Sequence, residues 1–68
     1  MPVIHVNLLE GRSVEVKRAY VAALTECSVK ILQCAPEAVT IVLSDMAFEN
    51  YAKAGTLKLD QVNAKKQG

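Results

Sequence analysis

The sequence predicts an α/β (α+β) chain: one β-α-β unit followed by a short C-terminal hairpin. Three observations carry that expectation. Residues 2–9, "PVIHVNLL", and residues 38–45, "AVTIVLSD", alternate in side-chain character as strands do. The long stretch between them repeats apolar residues at spacings of three and four, the period of a helix. Gly55 then divides the last part of the chain into two short segments, read as a small hairpin.

In the first strand Pro2, Ile4, Val6 and Leu8 share one face, while Val3, His5, Asn7 and Leu9 share the other. Proline is tolerated at a strand's first position because no interior ladder bond is lost there. Gly11 in "EGR" breaks the alternation. Ser13 suits a helix N-cap, and Glu15 in the first turn complements the helix dipole. The expected apolar stripe of the helix is Val16, Tyr20, Leu24, Cys27, Ile31 and Cys34, yet Val14, Val21, Val29 and Leu32 lie off it. Apolar surface on more than one side of a helix calls for a second chain to cover it. Ala35-Pro36 ends the helix, because proline disfavours helical geometry in its predecessor. The second strand presents Val39, Ile41 and Leu43 to the core. Two strands joined through a helix are expected to be parallel. Residues 2–60 form a single domain on this reading, and 61–68 a polar C-terminal tail.

Composition narrows the function. The chain has 68 residues, 51% of them hydrophobic, so it is a folding sequence and not a disordered one. A net charge of +1 without a basic block leaves no electrostatic footprint for nucleic acid. There is no signal-peptide pattern and no apolar run of the roughly 18 residues that cross a bilayer, so a cytoplasmic location with no membrane partner is expected. A single core in a chain below about 70–80 residues rarely supplies more than ~3–5 kcal/mol. Cys27 and Cys34 would stand roughly 10 Å apart along a helix, beyond the ~7 Å reach of a disulfide. One histidine without paired cysteines gives no metal site. A homo-oligomer is the remaining source of stability.

Few residues suggest chemistry. His5 lies on the less apolar strand face and reads as a hydrogen-bonded structural residue. The cysteines fall on the helical stripe and read as buried and inert. Glu10 reads as a solvated loop carboxylate. Pro2 and Arg12 remain. If Met1 is removed, Pro2 becomes the N-terminus and its ring nitrogen a secondary amine. α-Amino groups titrate at about 7.7–8.0, and burial or neighbouring cations lower that value. Such a base suits proton transfer from a carbon acid. Arg12, just past the strand, offers a guanidinium that can hold a carboxylate bidentately. Pro2 and Leu9 are roughly 23 Å apart at about 3.3 Å per residue, so Pro2 and Arg12 of one chain cannot grip one small molecule. Two chains paired antiparallel would bring them together.

The sequence resembles the 4-oxalocrotonate tautomerase family of the tautomerase superfamily over about residues 2–58. The likeness rests on Pro2 opening a strand, "LLEGRS" at 8–13, the long helix, and "SDMAFENYAKAG" at 44–55. It implies dimers with a four-stranded sheet covered by helices, assembled as a hexamer (a trimer of dimers), with no metal or organic cofactor. It implies that Pro2 moves a proton between carbons of an enol or dienol carboxylic acid to give the keto isomer. Arg12 matches the substrate-carboxylate arginine, and Leu9 a residue whose backbone N–H reaches the ligand. Tyr51 matches an aromatic wall. Thr40 stands where the best-studied members carry a second arginine, so the resemblance leaves the native substrate open. A hydroxyl there supplies a hydrogen bond but no charge. Two other readings stand beside this one: a lyase of the same superfamily, such as a dehalogenase acting on an unsaturated acid, and a non-catalytic structural oligomer.

Overall fold

The structure is a computed structural model that describes residues 1–67, with side chains described through Ala64. The order is β1 (Val3–Leu9), α1 (Val14–Leu32), a 3-10 turn (Pro36–Ala38), β2 (Thr40–Met46), a second 3-10 turn (Phe48–Asn50), β3 (Ala52–Lys53), β4 (Thr56–Leu57) and α2 (Lys58–Gln67). β1 and β2 pair in parallel, in register from Val3 opposite Thr40 to Leu9 opposite Met46. The ladder extends one bond beyond each end: the Thr40 N–H donates to the Pro2 carbonyl (3.0 Å), and the Glu10 N–H donates to the Met46 carbonyl (2.9 Å). Pro2 thus joins the sheet through its oxygen, the one backbone hydrogen-bonding group that proline keeps.

Local chemistry sets the helix ends. The Ser13 hydroxyl accepts from the Val16 N–H at 3.2 Å, as expected of an N-cap. The C-terminus arrives earlier than Pro36 alone requires. Gln33 turns left-handed (φ 57°) and its N–H donates to the Val29 carbonyl at 3.0 Å, so α1 stops at Leu32. Pro36 then opens the 3-10 turn, in which the Val39 N–H donates to the Pro36 carbonyl at 3.1 Å. That turn consumes residues 36–38 and moves the start of β2 from the expected residue 38 to Thr40.

The phase of the helix differs from the sequence reading. Its half-buried residues are Lys17, Val21, Leu24, Thr25, Ser28 and Val29, whereas Val16, Tyr20, Cys27 and Ile31 of the expected stripe are exposed. Lys17 binds Asp45 at 2.6 Å, and Asp45 lies on the β2 face that carries Ile41 and Leu43. The helix follows this face, whose Ile4, Val6, Leu8, Ile41 and Leu43 are half-buried. Periodicity alone could not set the phase, because α1 is apolar on several sides and one inward position is a lysine matched by an acid on the sheet.

β3 and β4 form the expected hairpin, with Ala52 opposite Leu57 and Lys53 opposite Thr56. Ala54 (φ 54°) and Gly55 (φ 80°) both take positive φ, the requirement of a tight two-residue turn matching strand twist. The polar segment from residue 61 continues α2 as far as Gln67, and Gly68 lies outside the described residues. None of the described helices is long and apolar enough to cross a membrane.

The protomer is far from closed. Among the described residues none is fully buried, and Ile31 (70% exposed), Val3 (67%), Leu32 (58%) and Val14 (56%) face outward. Its radius of gyration is 16.1 Å, against about 11 Å for a compact chain of this length. Its accessible surface is 5267 Å², against roughly 4,200 Å² for a folded monomer of this mass. The surplus, roughly 1,000 Å² on that scaling, is somewhat more than the area that one partner buries in a standard protein interface, about 800 Å².

Two substitutions test these local assignments in opposite directions. Ser13→Ala removes the N-cap acceptor and should lower stability by about 1 kcal/mol. Ala54→Gly relieves the left-handed backbone and should raise it by a few tenths to about 1 kcal/mol. Denaturant unfolding at one fixed protomer concentration reads both.

Candidate functional site

The parallel register distributes the candidate residues between the two ends of the sheet. Pro2 and Thr40 occupy one end, joined by the 3.0 Å bond from the Thr40 N–H to the Pro2 carbonyl. Pro2 is half-buried and Thr40 exposed. Their side chains diverge. Thr40 shares a face with Val3, its register partner, whereas strand alternation puts the Pro2 ring on the Ile4 face. In the described chain Met1 precedes Pro2 and is 91% exposed, so the Pro2 nitrogen is a tertiary amide without basic character.

Leu9 and Arg12 lie at the opposite end. The Arg12 Nη1 reaches the Leu9 carbonyl at 3.4 Å, a long contact. Among the described residues Arg12 makes no salt bridge, because the ion pair found joins Lys17 and Asp45. The exposed guanidinium therefore keeps most of its donors for a ligand. The Leu9 N–H is also placed to meet one. In a parallel ladder, alternate residues of a strand bond to a given neighbour. Pro2 and Glu10 bond to β2, so the odd-numbered residues between them, Leu9 included, direct their N–H groups to the other edge of β1. That edge has no partner in the two-stranded sheet.

Tyr51 belongs to the same end as Arg12. It follows the second 3-10 turn, is 36% exposed, and accepts at its carbonyl from the Lys58 N–H at 2.7 Å. The turn is tied to the end of β1 by Glu10, whose Oε2 accepts from the Phe48 N–H at 3.1 Å. Glu10 is exposed, as expected of a solvated loop carboxylate, but it is also a structural acceptor, which the sequence reading did not anticipate. Its partner is 38 residues away, which no local pattern reveals.

Arg12 also borders a cavity of about 180 Å³ with Leu8, Val16, Lys17 and Tyr20. Lys17 and Tyr20 were not candidates in the sequence; the helix phase brings them there. A broader apolar groove along α1, bordered by Val21, Ala22, Thr25 and Val29, includes none of the candidate residues.

His5 and Cys34 have structural partners. His5 Nε2 and the Ser44 hydroxyl lie 2.8 Å apart, in agreement with a hydrogen-bonded structural histidine. Cys34 is half-buried, with Sγ 3.8 Å from the Ser28 carbonyl, but Cys27 is exposed, contrary to its expected burial. The out-of-phase stripe accounts for that difference. Among the described residues no group of His, Cys, Asp and Glu is arranged to hold a metal ion.

Comparisons with known proteins agree with one another. A family profile described as "Tautomerase enzyme" matches residues 2–61. A probable tautomerase of Halalkalibacterium halodurans is 43% identical over 61 residues, spanning 90% of this chain and all of the relative. One from Staphylococcus saprophyticus is 39% identical over the same spans. Among solved structures, one from a kinetic and structural study of the 4-oxalocrotonate tautomerase isozymes of Methylibium petroleiphilum is 41% identical. It superposes with a TM-score of 0.88, covering 93% of this chain and 98% of the other.

The Glu10 contact yields a local test. Glu10→Ala should free the Phe48 amide and speed its hydrogen exchange by about tenfold, while the amides of β1 and β2 keep their protection. Unchanged exchange at Phe48 would remove Glu10 as the anchor of the Tyr51 segment.

Proposed function

The chain belongs to the tautomerase family, and from that premise we propose that it is an isomerase for enol or dienol carboxylic acids. In this reading Met1 is removed and the Pro2 amine takes a proton from the substrate. That proton leaves the enol hydroxyl as its C=O forms, and the amine returns it to a carbon of the conjugated system as the double bonds shift to the keto isomer. The proton taken up is the proton given back, so the step needs no co-reactant. Arg12 holds the substrate carboxylate, the Leu9 N–H adds a hydrogen bond, and Tyr51 walls the pocket.

The observation that carries the reading is the division of these groups between the two ends of β1, together with that strand's open edge. Antiparallel pairing of two β1 edges would lay Pro2 of one copy beside Leu9 and Arg12 of the other, and it would join two strand pairs into one four-stranded sheet. We propose a dimer of this kind as the active unit, assembled further into a hexamer. The exposed Ile31, Leu32 and Val14 supply apolar surface for that assembly. A neighbouring guanidinium also favours the neutral, proton-accepting form of the Pro2 amine. Thr40 serves as a weak ligand to the keto oxygen, reached from a copy other than the one whose Pro2 reacts.

The proline role has a direct test. Two preparations are compared, one verified by mass spectrometry to begin at Pro2 and one at Met1. The first should convert an enol acid and the second should fall to background, because an amide nitrogen is no base near neutral pH. Equal turnover would take Pro2 out of the mechanism.

Thr40 has its own test. A charge-bearing donor aimed at developing negative charge is worth about 10²–10³-fold in rate, so dicarboxylate dienols should be poor substrates. Thr40→Arg should raise their kcat/KM by about tenfold or more. An unchanged value in the folded, assembled variant would show that the missing cation is not limiting.

A further inference from the structure

The cavity beside Arg12 contains a second cation that the family reading does not use. Lys17 lines it with Arg12, Leu8, Val16 and Tyr20. Its Nζ is held by Asp45 Oδ2 at 2.6 Å, with side-chain exposures of 27% and 43%. Asp45 is the register partner of Leu8, a cavity-lining residue, so the ion pair borders the cavity. The two cations there are thus unequal. Arg12 makes no salt bridge among the described residues, whereas the charge of Lys17 is already matched.

We propose that Asp45 determines specificity by neutralising Lys17, which leaves the Arg12 cavity with one available positive charge and selects monocarboxylates bearing an apolar substituent over dicarboxylates. The proposal rests on the reading of Arg12 as the carboxylate-binding residue. The chemistry of the walls agrees with it. One guanidinium holds one carboxylate bidentately, and Leu8, Val16 and the Tyr20 ring offer apolar surface to the remainder of the ligand. A second carboxylate entering the same cavity would lose its hydration and meet an ammonium that Asp45 already satisfies. Thr40 adds to the effect from the other end of the strand, since it supplies no charge of its own. Asp45 touches no reacting atom in this account and acts only through Lys17.

Binding is the appropriate readout, because it does not depend on whether Pro2 is a base. Dissociation constants for hexanoate and adipate are measured by calorimetry on the assembled protein beginning at Pro2, in wild type, Asp45→Asn, Lys17→Gln and Arg12→Ala. Asp45→Asn keeps the shape of the side chain but leaves Lys17 charged and unmatched, so adipate should gain about tenfold relative to hexanoate. Lys17→Gln leaves Asp45 unmatched at the cavity, and the same ratio should fall below the wild-type value. A merely structural ion pair would move the ratio in the same direction in both variants, or not at all, and either result overturns the proposal. If one variant fails to assemble, the direction of shift in the other decides. Arg12→Ala separates the two levels of the argument. It should weaken both anions; if it weakens neither, the Arg12 reading fails and this proposal falls with it. If it weakens both while the ratio stays fixed in the other variants, only the role of Asp45 is lost.

Discussion

The parallel pairing of β1 with β2 is the constraint on which the rest of this small structure depends. Seven residues of each strand run side by side, with one further bond at either end. That ladder fixes Pro2 beside Thr40 at one end and Leu9 near Arg12 at the other. Pro2 and Leu9 are thereby separated by roughly 23 Å, more than a small carboxylic acid can span. Parallel pairing also requires a long crossover, and α1 supplies it. The price is a two-stranded sheet with an unpaired β1 edge, and such an edge seeks another strand.

The same geometry links stability to function. The chain leaves more surface exposed than a closed monomer of its mass would, and its apolar side chains lie on α1, on the outer sheet face and at the hairpin. In the proposed assembly, the contacts that cover this surface also bring the two halves of the site together. Folding strength and catalytic geometry would then derive from one set of interfaces. Within the protomer, polar contacts set direction: the Ser13 cap starts the helix, Lys17 and Asp45 orient it against the sheet, and Glu10 ties the segment before Tyr51 to the end of β1.

Much of this was legible in the sequence, for identifiable reasons. Strand alternation, the Ser13 cap and the Gly55 turn are local signals, and each leads to the element observed. The parallel arrangement follows from their order. Two features were not legible. The helix phase depends on which of several apolar sides meets the sheet, and the deciding contact, Lys17 with Asp45, spans 28 residues. The 3-10 turn at Pro36–Ala38 and the left-handed Gln33 shift the element boundaries through backbone geometry that propensity does not encode. The candidate site could be named in the sequence only as a set of residue types, Pro2 and Arg12 above all, and their joint role is part of the proposal. The cavity that Lys17 and Tyr20 share with Arg12 depends on the helix phase and became visible only with it.

The central claim, that one site is built from two copies, is tested most directly by subunit complementation. A protein that retains Met1, whose Pro2 nitrogen is an amide and no base, and an Arg12→Ala protein that begins at Pro2, each poorly active alone, are unfolded together and reassembled. If Pro2 and Arg12 of one site come from different copies, random pairing should restore both wild-type groups in about a quarter of the sites, and activity toward an enol acid should recover to about that fraction. No recovery, from mixtures in which mass spectrometry shows that the two variants have co-assembled, would place both groups in the same copy and contradict the account.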